Sequence, residues 1–271
     1  MPMKTRIPHS NLVVAVILLA TVFAIGRFVF AANQKQAHVT EVVREVNVLG
    51  AQAAARPAVV NETVHEGSAV RTGNQSRAEL TFVDQTITRL GANTVFSVGG
   101  GARTYDLGSG AILISAPKGV GTVKVSAGVA TCAVSGFVGI WETHSHGWNK
   151  ILIIEGDGEA WLDKKPGDQR HMHSRQILVF PWNATVLPQP QEFDVCKVIN
   201  NGLLITGFKN KLPSFPLMLA ECNRQQAQQG TTQLVDPTAQ NVLDQSMNAR
   251  PTPGTEPRPT IIPSDIRLQR P

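Results

Sequence analysis

Apolar and polar positions alternate with a period of two through most of the middle of the chain. Ala78, Leu80 and Phe82 alternate with Glu79 and Thr81, and Asp84-Gln85 then interrupts the pattern before Thr86–Leu90. Val64–Val98 therefore reads as short strands joined by tight turns, with Gly67, Gly73, Gly91, Asn74, Asp84 and Asn93 supplying the turn chemistry. The same texture continues through strands expected over Thr94–Val98, Ala111–Ser115, Thr122–Ser126, Val129–Val134, Phe137–Glu142, Ile151–Glu155, Glu159–Leu162 and Gln176–Phe180. Val39–Leu49 carries an apolar pattern that suits a strand or a short helix, with the strand favoured, ahead of a small-residue connector, Ala51–Pro57. Glycine, proline, asparagine and aspartate fall at nearly every gap. The expected fold class is all-β, a sandwich or a short β-solenoid of short antiparallel or stacked strands, and βαβ units are excluded.

The pattern changes at both ends. Leu12–Gly26 is an apolar run preceded by Lys4 and Arg6 and followed by Arg27 and a small-residue site at Val29 and Ala31. Residues 1–31 thus have the layout of a signal peptide, or of a signal anchor if the apolar stretch runs on to Ala32, tethering the chain to the inner membrane through residues 12–32. Either reading exports the remainder of the chain to the periplasm or beyond. After Pro188-Gln189-Pro190 the apolar spacing becomes helical over Phe193–Phe208, weakened at Gly202, and again over Ser214–Gln229, with Ser214 as cap and Pro216 in the first turn. Residues 230–271 are rich in proline and glutamine and read as a disordered tail. The expected organisation is 1–31 export segment, 32–59 strand and connector, 60–182 β-domain, 183–229 helical extension and 230–271 tail.

The formal charge of +5 does not imply a nucleic-acid partner. Lys4, Arg6 and Arg27 lie in the acid-free export segment, and without these three the net charge is about +2 with no basic stripe elsewhere. Three cysteines are too few for a disulfide framework. They leave room for one bridge, between Cys196 and Cys222, while Cys132 in the apolar ATCAV strand reads as a small buried hydrophobe.

Glu66-Gly67, Val70-Arg71-Thr72-Gly73, Ser76, Ala78, Leu80, Phe82, Asp84, Arg89-Leu90-Gly91, Thr94 and Phe96 form a recognisable opening strand pair. On these residues the middle region resembles the FecR domain, the exported part of the ferric-citrate regulator family of bacterial transmembrane signal proteins. Leu107–Ser115, Thr122–Gly136 and Ile151–Leu162 look like its later strands, and the resemblance covers about Val60–Trp182. Gln85 stands where that family has glycine, and Gly136-Phe137 replaces its Gly-Thr. The regulators bind a sigma factor through a cytoplasmic domain, and here about ten residues precede the apolar segment. The resemblance therefore implies the exported β-domain without sigma-factor binding: a non-catalytic module for binding, sensing or scaffolding, with an envelope protein or glycan as partner.

Several side chains carry alternative chemistry. His144-Ser145-His146 and His171-Met172-His173 have HxH spacing, which on neighbouring strands turns imidazoles to one face and offers nitrogens to Zn, Cu or Ni. The surroundings look superficially like a cupin, but the glutamate such a site requires after the second histidine is replaced by Asn149, Lys150 and Ile151. Solvated imidazoles on a strand or turn are the competing reading. Glu155, Asp157 and Glu159 flank a Gly-Asp-Gly that reads as a hairpin turn with solvated acids. Trp141, Trp148, Trp161 and Trp182 suit either core packing or carbohydrate stacking. Arg71 beside Thr72-Gly73 suits a solvated turn charge better than an anion site. No nucleophile elbow and no phosphate-binding glycine loop is present, so no enzyme is expected.

Overall fold

In a computed structural model, residues 36–50, 54–101, 103–228 and 234–237 are described. The expected export segment lies outside them, as does the expected tail apart from 234–237. Among the described residues fifteen strands form one continuous sheet that folds back on itself as two layers. The strands are β1 Gln36–Val43, β2 Val46–Leu49, β3 Arg56–Pro57, β4 Thr63–His65, β5 Ala69–Thr72, β6 Arg77–Phe82, β7 Ile87–Leu90 and β8 Val95–Val98. They continue with β9 Thr104–Ser115, β10 Thr122–Ala127, β11 Ala130–Thr143, β12 Trp148–Leu162, β13 Lys165–Met172, β14 Gln176–Pro181 and β15 Gln191–Glu192. The helices are α1 Val195–Asn201, α2 Leu203–Thr206 and α3 Phe215–Gln228.

Three long strands belong to both layers. The C-terminal half of β9 pairs with β7 and β11, and its N-terminal half with β8 and, in parallel, β10. β11 likewise divides between β9 and β10, and β12 between β14 and β13. The first layer then runs β4-β1-β6-β7-β9-β11-β12-β14-β15, and the second β3-β2-β5-β8-β9-β10-β11-β12-β13. β1 and β2 are integral members of these layers, so residues 36–50 belong to the β-domain.

Each crossing strand changes layer at a glycine with positive φ: Gly110 at +83°, Gly136 at +55° and Gly156 at +103°. The extra residue of a bulge reverses which parity of side chains points inward. In β11 the inward residues are Ala130, Cys132 and Val134 before Gly136, then Phe137 and Trp141 after it. In β12 they change from Ile151 and Ile153 to Ala160 and Leu162. A Cβ at Gly156 would stand 2.8 Å from the Cβ of Phe137, so the bend also requires the close approach that only glycine permits. The strands expected separately over Val129–Val134 and Phe137–Glu142, and over Ile151–Glu155 and Glu159–Leu162, are thus two strands and not four. Gly156-Asp157-Gly158 lies inside β12, correcting the hairpin expected there; the reversal into β13 falls at Asp163-Lys164.

One core fills the space between the layers. Phe82 of the first layer meets Tyr105 of the second at 5.0 Å between ring centroids, and Tyr105 meets Phe96 at 5.6 Å. Aromatic pairs in these tilted arrangements contribute about 0.5–1.5 kcal/mol each beyond area burial. A second core lies on the other side of the first layer, where Leu113, Ile140, Leu152, Ile154, Ile177 and Val179 meet Val195, Ile199 and Met218 of the helices. Gly202 divides the expected helix at Phe193–Phe208 into α1 and α2. The Ser214 carbonyl accepts backbone bonds from Leu217 and Met218 at the start of α3, the position expected of its cap. A Cys196–Cys222 disulfide joins α1 to α3, and Cys132 is buried with a free thiol. No described helix is long and apolar enough to cross a membrane.

Buried arginine chemistry docks the helices. Arg89 on β7 is 1% exposed and donates from Nε to Glu79 at 2.8 Å. Its other nitrogens donate to the carbonyls of Leu204, Ile205 and Asn210, and its guanidinium lies over the Phe208 ring at 4.3 Å. Arg77 adds a bond to the Gly207 carbonyl at 3.0 Å. Two cations thus satisfy carbonyls that the end of α2 leaves open.

Candidate functional site

The helices cover only the first layer. Among the described residues no helix covers the outward face of the second layer, and register places its side chains in rows across β9, β10, β11, β12 and β13. One row is Asp106, Ser126, Thr131, Trp161 and Gln169. The next is Thr104, Lys124, Ala133, Glu159 and His171, followed by Thr122, Ser135 and Asp157. Alternation explains the composition: Val123, Val125, Cys132, Val134, Ala160 and Leu162 point into the core from the same strands, so their neighbours face water.

Small hydroxyls tie the rows together. Ser126 and Thr131 share a hydrogen bond of 3.0 Å, Thr122 and Ser135 one of 3.1 Å, and Thr131 donates to Asp163 at 2.7 Å. Burial, with the negative charge of Asp163 adding to it, raises the carboxyl of Asp106 above its ordinary value. Trp161 is the aromatic member of this polar platform and is partly exposed. Flat, hydroxylated and carrying both signs of charge, the platform can bond a polar ligand laid across the strands.

The histidines do not converge. His144, Ser145 and His146 occupy the β11–β12 turn, with His146 at φ +60°, so the strand spacing that would turn both imidazoles to one face does not hold there. His171 sits opposite Glu159 on β13. The turn enters β12 at Trp148, and Glu159 is eleven residues further on, a contour of roughly 35 Å at about 3.3 Å per residue. The four-histidine Zn, Cu or Ni site expected from His144, His146, His171 and His173 is therefore not assembled. Among the described residues no group of three or more His, Cys, Asp or Glu side chains has metal-binding geometry.

Each histidine has another partner. His144 bonds Glu142 at 2.8 Å and lies 4.4 Å from the Trp148 ring, while His146 lies 5.0 Å from the Trp182 ring. His171 pairs with Glu159 at 3.2 Å and His173 with Asp157 at 2.7 Å, both on the edge of the platform. Glu155 pairs with Lys118 at 3.2 Å. Burial raises the carboxyl of Glu142, but bonds from His144 and Lys150 with the nearby charge outweigh it and leave its value lowered. Burial pushes the Cys132 thiol up to about 12, which keeps it neutral. Trp141 is fully buried against Phe137, and Arg71 is exposed on β5.

The platform could not be read from the sequence as a site. Its residues are the polar halves of ordinary alternating strands, and only the register that bulges set in β9, β11 and β12 brings Asp106, Lys124, Thr131 and Trp161 into one surface. The signal that existed was the threonine and serine content of the outward positions.

No protein-family model matches the sequence, and no curated protein does. Two crystal structures from Parabacteroides distasonis ATCC 8503, each provisionally assigned as an anti-sigma factor, align with part of it. One, solved at 2.50 Å, has 12% identity and a TM-score of 0.42 over 49% of this chain, which spans 64% of that chain. The other, solved at 1.65 Å, has 11% identity and a TM-score of 0.41 over 59% of this chain and 91% of that chain.

Proposed function

We propose that this chain is an exported, non-catalytic binding module of the bacterial envelope, FecR-like in its β-domain, that holds its partner on the open platform of the second layer. The observation that carries the reading is the asymmetry of the sandwich. One outer face is sealed by disulfide-joined helices, and the other displays five strands of hydroxyl, carboxylate and amine groups around Trp161. The Cys196–Cys222 bridge supports export, since such bridges persist in oxidising compartments. Pairing of Glu142, Glu155, Asp157 and Glu159 with cations or imidazoles supports a structural use of these acids over a catalytic one.

The partner is an envelope glycan or an envelope protein, and binding separates the two. Purified chain is incubated with protein-free peptidoglycan sacculi and, separately, with solubilised envelope proteins. Retention by either, lost in Trp161→Ala and kept in a Leu217→Ala control on α3, supports the platform. Retention unchanged by Trp161→Ala and by Lys124→Glu would move the site elsewhere. Mass spectrometry of the mature N-terminus reports on the export segment: a start at Ala32 indicates a cleaved signal peptide, and an intact N-terminus indicates the anchored form.

A further inference from the structure

Residues 234–237 belong to a region whose composition reads as a tail, yet they are held as a strap against the fold. Val235 is 4% exposed and joins the core between the first layer and the helices. Its backbone forms a parallel bridge with Phe193: Val235 N–H donates to Glu192 O at 3.0 Å, and Asp194 N–H donates to Val235 O at 3.0 Å. Lys197 pairs with Asp236 at 2.8 Å. The buried ammonium of Lys150, paired with Glu142, donates to Pro237 O at 3.0 Å.

The receiving surface is satisfied from two sides. Gln225 of α3 accepts from Val195 N–H at 3.1 Å and donates to Phe193 O at 2.8 Å. The alternate groups, Glu192 O and Asp194 N–H, face the other way and are met by the strap. Without it they form a short open sheet edge, with an apolar hole where Val235 sits, a cation at Lys197 and a buried ammonium at Lys150. Edge bonds for affinity with alternate side-chain contacts for specificity are the parts of a strand-addition site.

We propose that Glu192–Lys197 with Lys150 is a peptide-binding slot of strand-addition type. Its resident ligand is the chain's own Leu234–Pro237, and its partner in trans is the same segment of a second copy. The chemistry selected is an apolar residue in the hole, an aspartate next to it for Lys197, and a carbonyl for Lys150. Five residues join the end of α3 at Gln228 to Leu234, so the strap is a local unit able to open without unfolding the sandwich. Exchange between copies then makes the same contacts in a dimer. This slot lies on the helical side and is independent of the platform.

The test uses the full chain. Val235→Asp expels the resident strap, and a labelled peptide of residues 232–239 is titrated against this variant and against wild type. Binding to the variant at least tenfold tighter than to wild type is expected, with no binding by the same peptide carrying Val235→Asp. Equal or absent binding to the folded variant overturns the proposal. Should the variant misfold, hydrogen exchange on wild type decides. The Asp194 and Val235 amides are expected to exchange at least tenfold faster than that of Ile153, and exchange of all three at one rate would show that the strap opens only when the whole chain unfolds.

Discussion

A guanidinium with almost no exposure is tolerated in a sheet only when its nitrogens find acceptors, and all three nitrogens of Arg89 do so through Glu79 and the carbonyls of Leu204, Ile205 and Asn210. Arg89→Met leaves Glu79 without its cation and the carbonyls of Leu204, Ile205 and Asn210 without their guanidinium donors. Losing one partner of a buried pair costs about 3–5 kcal/mol, so urea denaturation is expected to show a loss of that order. Glu79→Gln combined with Arg89→Met removes the stranded charge and is expected to recover part of it. Glu142 makes the fold pH-dependent with a definite sign. Its carboxyl value is lowered in the folded state, so its stabilising contribution is present above the ordinary value of 4.5 and is lost as pH falls through the lower folded value. Melting temperatures of wild type and Glu142→Gln are expected to differ at neutral pH and to converge on acidification below pH 4.5.

At the scale of elements, the glycine bulges decide the architecture. Gly156→Val places a branched side chain at φ +103° and against Phe137, and an expected loss of about 2–4 kcal/mol in chemical denaturation checks it. These bulges also set the limit of what the sequence shows. Period-two alternation locates nearly every strand, but at Gly136 and Gly156 it loses phase, and loss of phase reads as a strand end when it is a parity reversal within one strand. β13 escapes the pattern for another reason: Lys165–Met172 is an edge strand whose only fully buried side chain is Met172. HxH spacing turns two imidazoles to one face only within a strand, and at His144–His146 the chain turns. Val235 is concealed by the Gln, Thr and Pro around it. The helical layer was legible from spacing and caps, while the bridge between Cys196 and Cys222 became definite only in three dimensions. Replacing both cysteines by serine is expected to cost about 2–4 kcal/mol, measured by urea unfolding, with hydrogen exchange rising first in α1 and α3.

As a whole molecule, the protein is a β-sandwich with unequal outer faces. The first layer is closed by helices and by a strap from the chain's own C-terminal region, and the second presents Asp106, Lys124, Glu159 and Trp161 to its surroundings. That asymmetry separates a binding face from a structural one. The most direct measurement is photo-crosslinking in intact cells, with a photoreactive amino acid placed at Lys124 on the platform or at Leu217 on α3, both of them exposed. Efficient crosslinks to one envelope component from position 124 and none from position 217 are predicted. Crosslinks to a partner from position 217 alone, with position 124 silent, would contradict the account.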